Sequence, residues 1–157
     1  MDERYLGDPA VDDFVRAIHP PSEWGVLLVR KGGFAVARLV GEQTAESKVG
    51  QRHVQGRTKA GGQSQQRFAR RRDNQARQAY EAAADHAARI LANPHELAVV
   101  TGGDHAAVDD VLADPRLRHL RVRGPWLDVP DPRRGVLERA VAQAESIVVG
   151  VLNAEDQ

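Results

Sequence analysis

One stretch of the chain carries residues whose types and spacing suit contact with a nucleic-acid backbone: Lys59-Ala60-Gly61-Gly62-Gln63-Ser64-Gln65-Gln66-Arg67-Phe68-Ala69-Arg70-Arg71-Arg72. Two adjacent glycines allow backbone excursions that other residues resist, and they permit close approach to a ligand. The pair stands just ahead of an expected helix N-terminus, where free backbone N–H groups attract an anion or a developing oxyanion. Ser64 is the expected N-cap. Arg67, Arg70 and Arg71 follow at helical spacing, so they can line one side and meet phosphates. Arg57 and Lys59 add cations ahead of the glycines. The pattern describes a polar tip, backed by cations, delivered into a polyanion.

The distribution of charge agrees. The 157 residues sum to zero formal charge, yet between Lys48 and Gln78 nine basic residues face a single acid, Asp73. A neutral chain with one concentrated basic segment suits a local contact rather than general adhesion. Other chemistries are disfavoured. Cysteine is absent, which removes disulfides, thiolate metal sites and a cysteine nucleophile. The six histidines form no i, i+4 pair and stand at no ligand spacing with carboxylates, so neither a metal nor another cofactor is expected. Asp12-Asp13 and Asp109-Asp110 diverge on their helices as solvated surface, and no serine occupies a nucleophile elbow. No apolar run reaches the roughly 18 residues of a membrane span. The acidic start, Met1-Asp2-Glu3-Arg4, is unlike a signal peptide. A cytoplasmic, monomeric protein is expected.

The elements that must hold the basic segment read as α/β. Residues 1–23 form an acidic helical extension, with an amphipathic stretch from Asp8 to Ile18 closed by Pro20-Pro21. A domain is expected over residues 24–151 and a tail over 152–157. Trp24 to Val29 and Phe34 to Val40 read as a hairpin, with Gly32-Gly33 supplying positive φ in the turn. Val49 to Gln55 is a candidate third strand. From Ser64 to Leu91 there is no glycine or proline, and the sequence predicts a long helix. Phe68, Ala76, Ala79, Tyr80, Ala83, Ala87, Ile90 and Leu91 share roughly one face. Before Gln78 only Phe68 is large and apolar. The helix is therefore expected to project, with its start exposed, Phe68 anchoring that start and the alanine-rich end docked. Beyond Asn93-Pro94, Leu97 to Thr101 reads as a strand, Gly102-Gly103 as a turn and His105 to Leu112 as a helix. Leu120 to Val129 holds one or two strands, Arg133 to Ser146 a helix and Ile147 to Val151 a last strand. Such alternation indicates a mixed β-sheet with packed helices.

Gly61-Gly62-Gln63-Ser64, followed by Arg67-Phe68-Ala69-Arg70 and Arg72, resembles the middle domain of eukaryotic and archaeal peptide-chain release factors, where a Gly-Gly-Gln loop precedes a long helix. The preceding hairpin, the strand ending in Val100-Thr101-Gly102-Gly103 and the segment from Asp128 through Gly135 to Ser146 follow in the same order. The resemblance spans about residues 24–150. Val54-Gln55-Gly56-Arg57-Thr58 and the run from Ser64 to Arg72 are similar to the Vms-like release-factor family, and within it to the stand-alone actinobacterial-type peptidyl-tRNA hydrolases. A bare Gly-Gly-Gln is a weak signal. Ahead of an Arg-Phe-Ala-Arg helix and behind a hairpin it is specific.

The resemblance implies hydrolysis of the ester that joins a nascent peptide to tRNA, at the peptidyl-transferase centre of the large ribosomal subunit. The implied partners are peptidyl-tRNA and ribosomal RNA, with no cofactor and no membrane. Gln63 has no useful pKa and so is no general base in the manner of His or Glu. It places a water while its backbone N–H stabilises the tetrahedral oxyanion, and a tRNA hydroxyl carries the proton. Gly61 and Gly62 let the tip enter a narrow cleft. Arg57, Lys59, Ser64, Arg67, Arg70 and Arg71 hold RNA and give salt-dependent affinity. In the Vms-like family the acting glutamine does not always follow the glycines directly, so Gln65 and Gln66 stand as alternatives. With no codon-reading domain, the expected role is rescue of stalled ribosomes or separated large subunits. Two other functions fit the same residues: an endonuclease cutting tRNA near its 3′ CCA end, and a non-catalytic ribosome-binding or hibernation factor.

Overall fold

The computed structural model describes residues 22–51 and 62–146. The stretch from Asp8 to Ile18, residues 52–55 of the third strand and the expected last strand from Ile147 to Val151 lie outside the described residues. Five strands form one mixed sheet in the order β3-β2-β1-β4-β5. β1 (Glu23–Arg30), β2 (Gly33–Val40) and β3 (Gln43–Gln51) make an antiparallel meander. β4 (Leu97–Gly103) pairs parallel with β1, and β5 (Leu120–Leu127) pairs parallel with β4. Helices α1 (Gly62–Ile90) and α2 (His105–Leu112) pack on one face and α3 (Arg134–Glu145) on the other. The expected α/β class with a mixed sheet is observed.

β1 shows why this sheet is covered twice. A strand buried on both faces reads as a continuous apolar run rather than an alternating one, and every residue from Trp24 to Val29 is buried. Leu27 and Val29 pack with Phe34, Val36 and Val99 beneath α1 and α2. Trp24, Val26 and Leu28 pack with Leu39, Val100 and Leu137 beneath α3. Removing one such leucine side chain from water contributes about 2 kcal/mol. Trp24 Nε1 donates to the Gly41 carbonyl oxygen at 2.9 Å, so its one polar atom is satisfied.

Three strand-level expectations are corrected. β3 starts at Gln43, ahead of the expected Val49. It is an edge strand whose early residues, Gln43, Thr44, Glu46, Ser47 and Lys48, are exposed or half-buried, so apolar alternation does not announce it. Among the described residues only Gly41 and Gly103 have positive φ, so Gly32-Gly33 is not a positive-φ turn. Pairing extends to Arg30↔Gly33 and leaves Lys31-Gly32 as the turn. Gly33 is needed for space, since a Cβ there would come within 2.4 Å of the Gly50 carbonyl oxygen. Gly102-Gly103 belongs to β4 rather than to a turn. A Cβ on Gly102 would lie 2.3 Å from the Leu127 carbonyl oxygen, and Gly103 sits at φ +105° equally close to that of Val29. The pair lets three strands close on one another, and Asp104 then caps α2 by accepting from Ala107 N–H at 3.2 Å.

α1 has 29 residues, which makes it about 43 Å long. Between Gln65 and Gln78 only Phe68, Gln75 and Ala76 are even half-buried. Burial begins at Ala79 and continues through Ala83, Ala84, Ala87, Ile90 and Leu91. The expected projection is therefore present: from Gln65 to Gln78 about 21 Å of helix stands clear of the core. Phe68 is half-buried and belongs to neither core cluster among the described residues.

Candidate functional site

The helix starts at Gly62, two residues earlier than the sequence suggests. Gln63 and Ser64 therefore stand in its first turn, and Ser64 is not the N-cap. Arg57, Lys59 and Gly61 lie outside the described residues, together with the loop expected to precede the helix. Gln65, Gln66, Arg67, Arg70 and Arg71 are all exposed on the projecting arm. The first turn of a helix carries N–H groups without intrahelical acceptors, and no acidic residue occupies that turn here.

At about 100° per residue, positions 63, 67, 70, 71 and 77 fall on one side of α1. The opposite side, through Ala79, Ala83, Ala87 and Ile90, packs on the sheet. Positions 65, 68 and 72 continue that packing side outward. The arm thus has one polar, cationic side; of the three glutamine positions 63 lies on it, 66 is in phase with buried Ala84 at its border, and 65 is out of phase with it.

Five of the ten described arginines on the body meet carboxylates. Arg30 meets Asp131 at 3.6 Å and Arg38 meets Glu23 at 3.8 Å. Arg89 pairs with Glu46 and Arg121 with Glu96. Arg116 holds Asp85 at 2.7 Å and Asp114 at 2.8 Å. Among the described residues, by contrast, no carboxylate pairs with Arg67, Arg70, Arg71, Arg72 or Arg77. Like charges at i, i+4, such as Arg67 and Arg71, oppose the helix by about 0.2–0.5 kcal/mol. A bound polyanion would remove that repulsion.

The root of the arm is packed rather than hollow. His86 stacks on Phe34 with ring centroids 5.5 Å apart. Tyr80 packs half-buried against the core, and its hydroxyl is pushed above the ordinary phenol value, first by burial and then by the charges of Asp104 and Asp110. The cleft between Gly33, Phe34, Gly50, Gln51, Ala79 and Ala82 measures about 110 Å³, small beside the roughly 300 Å³ and more of ligand pockets. Among the described residues no three His, Asp or Glu side chains converge as metal ligands. The geometry is that of a lever presenting a tip. Whole-chain charge counting also passes over a second feature, the absence of any acid from Pro115 to Leu127, which a scan by segment would have found.

A hairpin-fronted mixed sheet thus carries a long cationic arm that opens on Gly62-Gln63. The family described as Actinobacteria/chloroflexi VLRF1 release factor matches residues 22–150. The chain belongs to this family. The match begins one residue before β1 and extends beyond α3, so it takes in the whole described VLRF1 sheet together with the arm. It bears out the likeness to Vms-like release factors read from the tip and its helix. VLRF1 membership carries a release-factor role in translation, exercised at the ribosome. No curated protein matches the chain. No helix among the described residues is long and apolar enough to cross a membrane.

Proposed function

We propose that the protein is a peptidyl-tRNA hydrolase that frees nascent peptides from tRNA on stalled ribosomes or separated large subunits. The observation that carries this reading is the cationic side of an arm whose arginines meet no carboxylate among the described residues and whose first turn holds Gly62-Gln63, in a chain of a release-factor family. Arg67, Arg70 and Arg71, with Arg57, Lys59 and Ser64, hold RNA phosphates and steer the tip to the ester. The Gln63 amide orients a water toward the ester carbonyl carbon. Free N–H groups of the first turn donate to the oxyanion that develops as the water oxygen bonds to that carbon. The carbon–oxygen bond to the terminal ribose then breaks, and the leaving ribose oxygen takes the proton that the water gives up. Glutamine does not titrate, so its contribution is positional. Gly61 and Gly62, lacking Cβ atoms, keep the tip narrow enough for an RNA-lined cleft. The scheme needs no cofactor, and the protein acts as a cytoplasmic monomer.

The test is a gel of peptidyl-tRNA bound to purified large subunits, with wild type and Gln63→Ala. Free peptide with full-length tRNA, lost in the variant, is the expected result. Shortened tRNA would instead make the protein a nuclease acting near the 3′ CCA end. Bound but uncleaved peptidyl-tRNA would make it a ribosome-binding factor.

A further inference from the structure

We infer that Arg89 and Arg116 are positioning residues: paired with Glu46 and Asp85, they fix the direction in which α1 carries its tip away from the body. Asp85 and Arg89 lie one turn apart near the docked end of α1, both exposed. Arg89 pairs with Glu46 on β3. Asp85 meets Arg116, in the short turn Pro115–Leu117 that leads into β5, at 2.7 Å. β3 and β5 are the two borders of the sheet, about 19 Å apart. The two ties therefore leave one helix toward opposite edges of the body. Among the described residues they are the ion pairs that join α1 to the rest of the chain.

The packing beneath the helix does not fix this direction by itself. The buried residues from Ala79 to Ala87 are all alanines, and the large side chains Ile90 and Leu91 come only at the far end. Methyl groups make shallow ridges, which resist a swing less than interlocked large side chains do. At the near end a cleft lined by Gly33, Phe34, Gly50, Gln51, Ala79 and Ala82 opens beneath α1. The helix is thus gripped most firmly at Ile90-Leu91. His86 on Phe34 and half-buried Tyr80 add contact ahead of that grip. Stacking and apolar contact change little over a small tilt, whereas a charged pair with a set fork loses its geometry. From Asp85 to Gly62 the helix runs about 35 Å, so a tilt of about 10° moves the tip by about 6 Å. A misplacement of about 1 Å at a reacting centre already costs rate.

Arg116 is built to hold its end. Asp114 accepts from its backbone N–H at 2.9 Å, from Nε at 3.0 Å and from Nη2 at 2.8 Å. The guanidinium fork is therefore set by a neighbour, and little freedom is lost in closing the pair with Asp85. An exposed pair adds little to folding stability, but a long arm turns that small energy into a large displacement. The direction of the arm does not depend on what its tip does, whereas the effect on peptide release rests on the hydrolase reading.

The chain has no cysteine, so spin labels at Ala69→Cys on the arm and Ala106→Cys on α2, both exposed, report this direction by double electron–electron resonance in the full chain. Arg116→Gln and Glu46→Gln are each expected to raise the share of displaced distances about two- to fivefold, the worth of an exposed pair. The melting temperature is expected to move by no more than about 4 °C. The exchange Glu46→Arg/Arg89→Glu is expected to restore the narrow distribution that each of its single changes broadens. Arg116→Lys, a charge without the fork, is expected to fall between wild type and Arg116→Gln. On large subunits the unlabelled variants are expected to lower kcat for release and to leave KM near wild type, because the arm's cations still bind RNA. A distribution unchanged in Glu46→Gln/Arg116→Gln overturns the inference, as does an exchanged pair as broad as its single changes. A large drop in the melt, or a loss of release carried by KM alone, also overturns the positioning role. If wild type releases no peptide, the hydrolase reading falls and the distance distributions decide the inference alone.

Discussion

In the proposed mechanism Gln63 fills a role that enzymes more often give to a titratable side chain, and its value there lies in position. Gln63→Ala is expected to abolish peptide release while shifting the melting temperature by no more than a few degrees, because the first turn of α1 is remote from the core. A large drop in the melt would refute the exposed arm. Gln65→Ala is expected to retain release, since position 65 is out of phase with the cationic side; equal loss in the two variants would refute that phase argument. A different residue reports on pH. The side chain and backbone N–H of Arg116 donate to Asp114 and hold its carboxyl down to about 2. A depressed folded pKa stabilises above the ordinary carboxylate range and is lost as pH falls toward the folded value. The melting advantage of wild type over Asp114→Asn is therefore expected to be full at neutral pH and to shrink from about pH 4 to about pH 2.

α1 shows how one residue type acquires two meanings along one helix. Ala83 is fully buried against the sheet, whereas Ala69 is exposed on the arm. Ala83→Leu must force three extra heavy atoms into a packed layer and is expected to cost about 1–3 kcal/mol. Ala69→Leu should change stability by no more than about 0.5 kcal/mol. Urea midpoints of the two variants check this, and equal midpoints would place the end of the core elsewhere. β3 and β1 make the same point for strands. β3, polar and at the edge, is invisible to alternation, while β1, buried on both faces, is announced by its apolar run.

Taken whole, the molecule separates a body in which half of the described arginines meet carboxylates from an arm whose arginines have no carboxylate partners among the described residues. Net charge is zero, so long-range attraction to RNA is weak and the arm's local field sets where binding occurs. Arg70→Glu/Arg71→Glu is expected to weaken binding to large subunits and to flatten its salt dependence, by about 0.7–0.9 of slope for each phosphate that the variant no longer neutralises. Affinity unchanged across salt would remove these arginines from the interface.

The α/β class, the first hairpin, the helix from His105 to Leu112 and the projecting arm were legible in the sequence. Each follows from local pattern: apolar runs, proline and glycine placement, and a glycine-free alanine-rich stretch. Gly61, Gly62 and Gln63 and the arginines behind them are proposed as the site from residue type and spacing. What the sequence alone left undecided depends on how distant residues meet. The helix start moved from Ser64 to Gly62; Gly102-Gly103 became close strand packing; Phe68 has no place in the core. Above all, whether an arginine is free or neutralised is settled by partners far along the chain, 43 residues apart for Arg89 with Glu46 and 31 for Arg116 with Asp85. Composition counts charges, but only the fold decides which of them meet, because Coulomb attraction at close range depends on where the backbone carries each side chain.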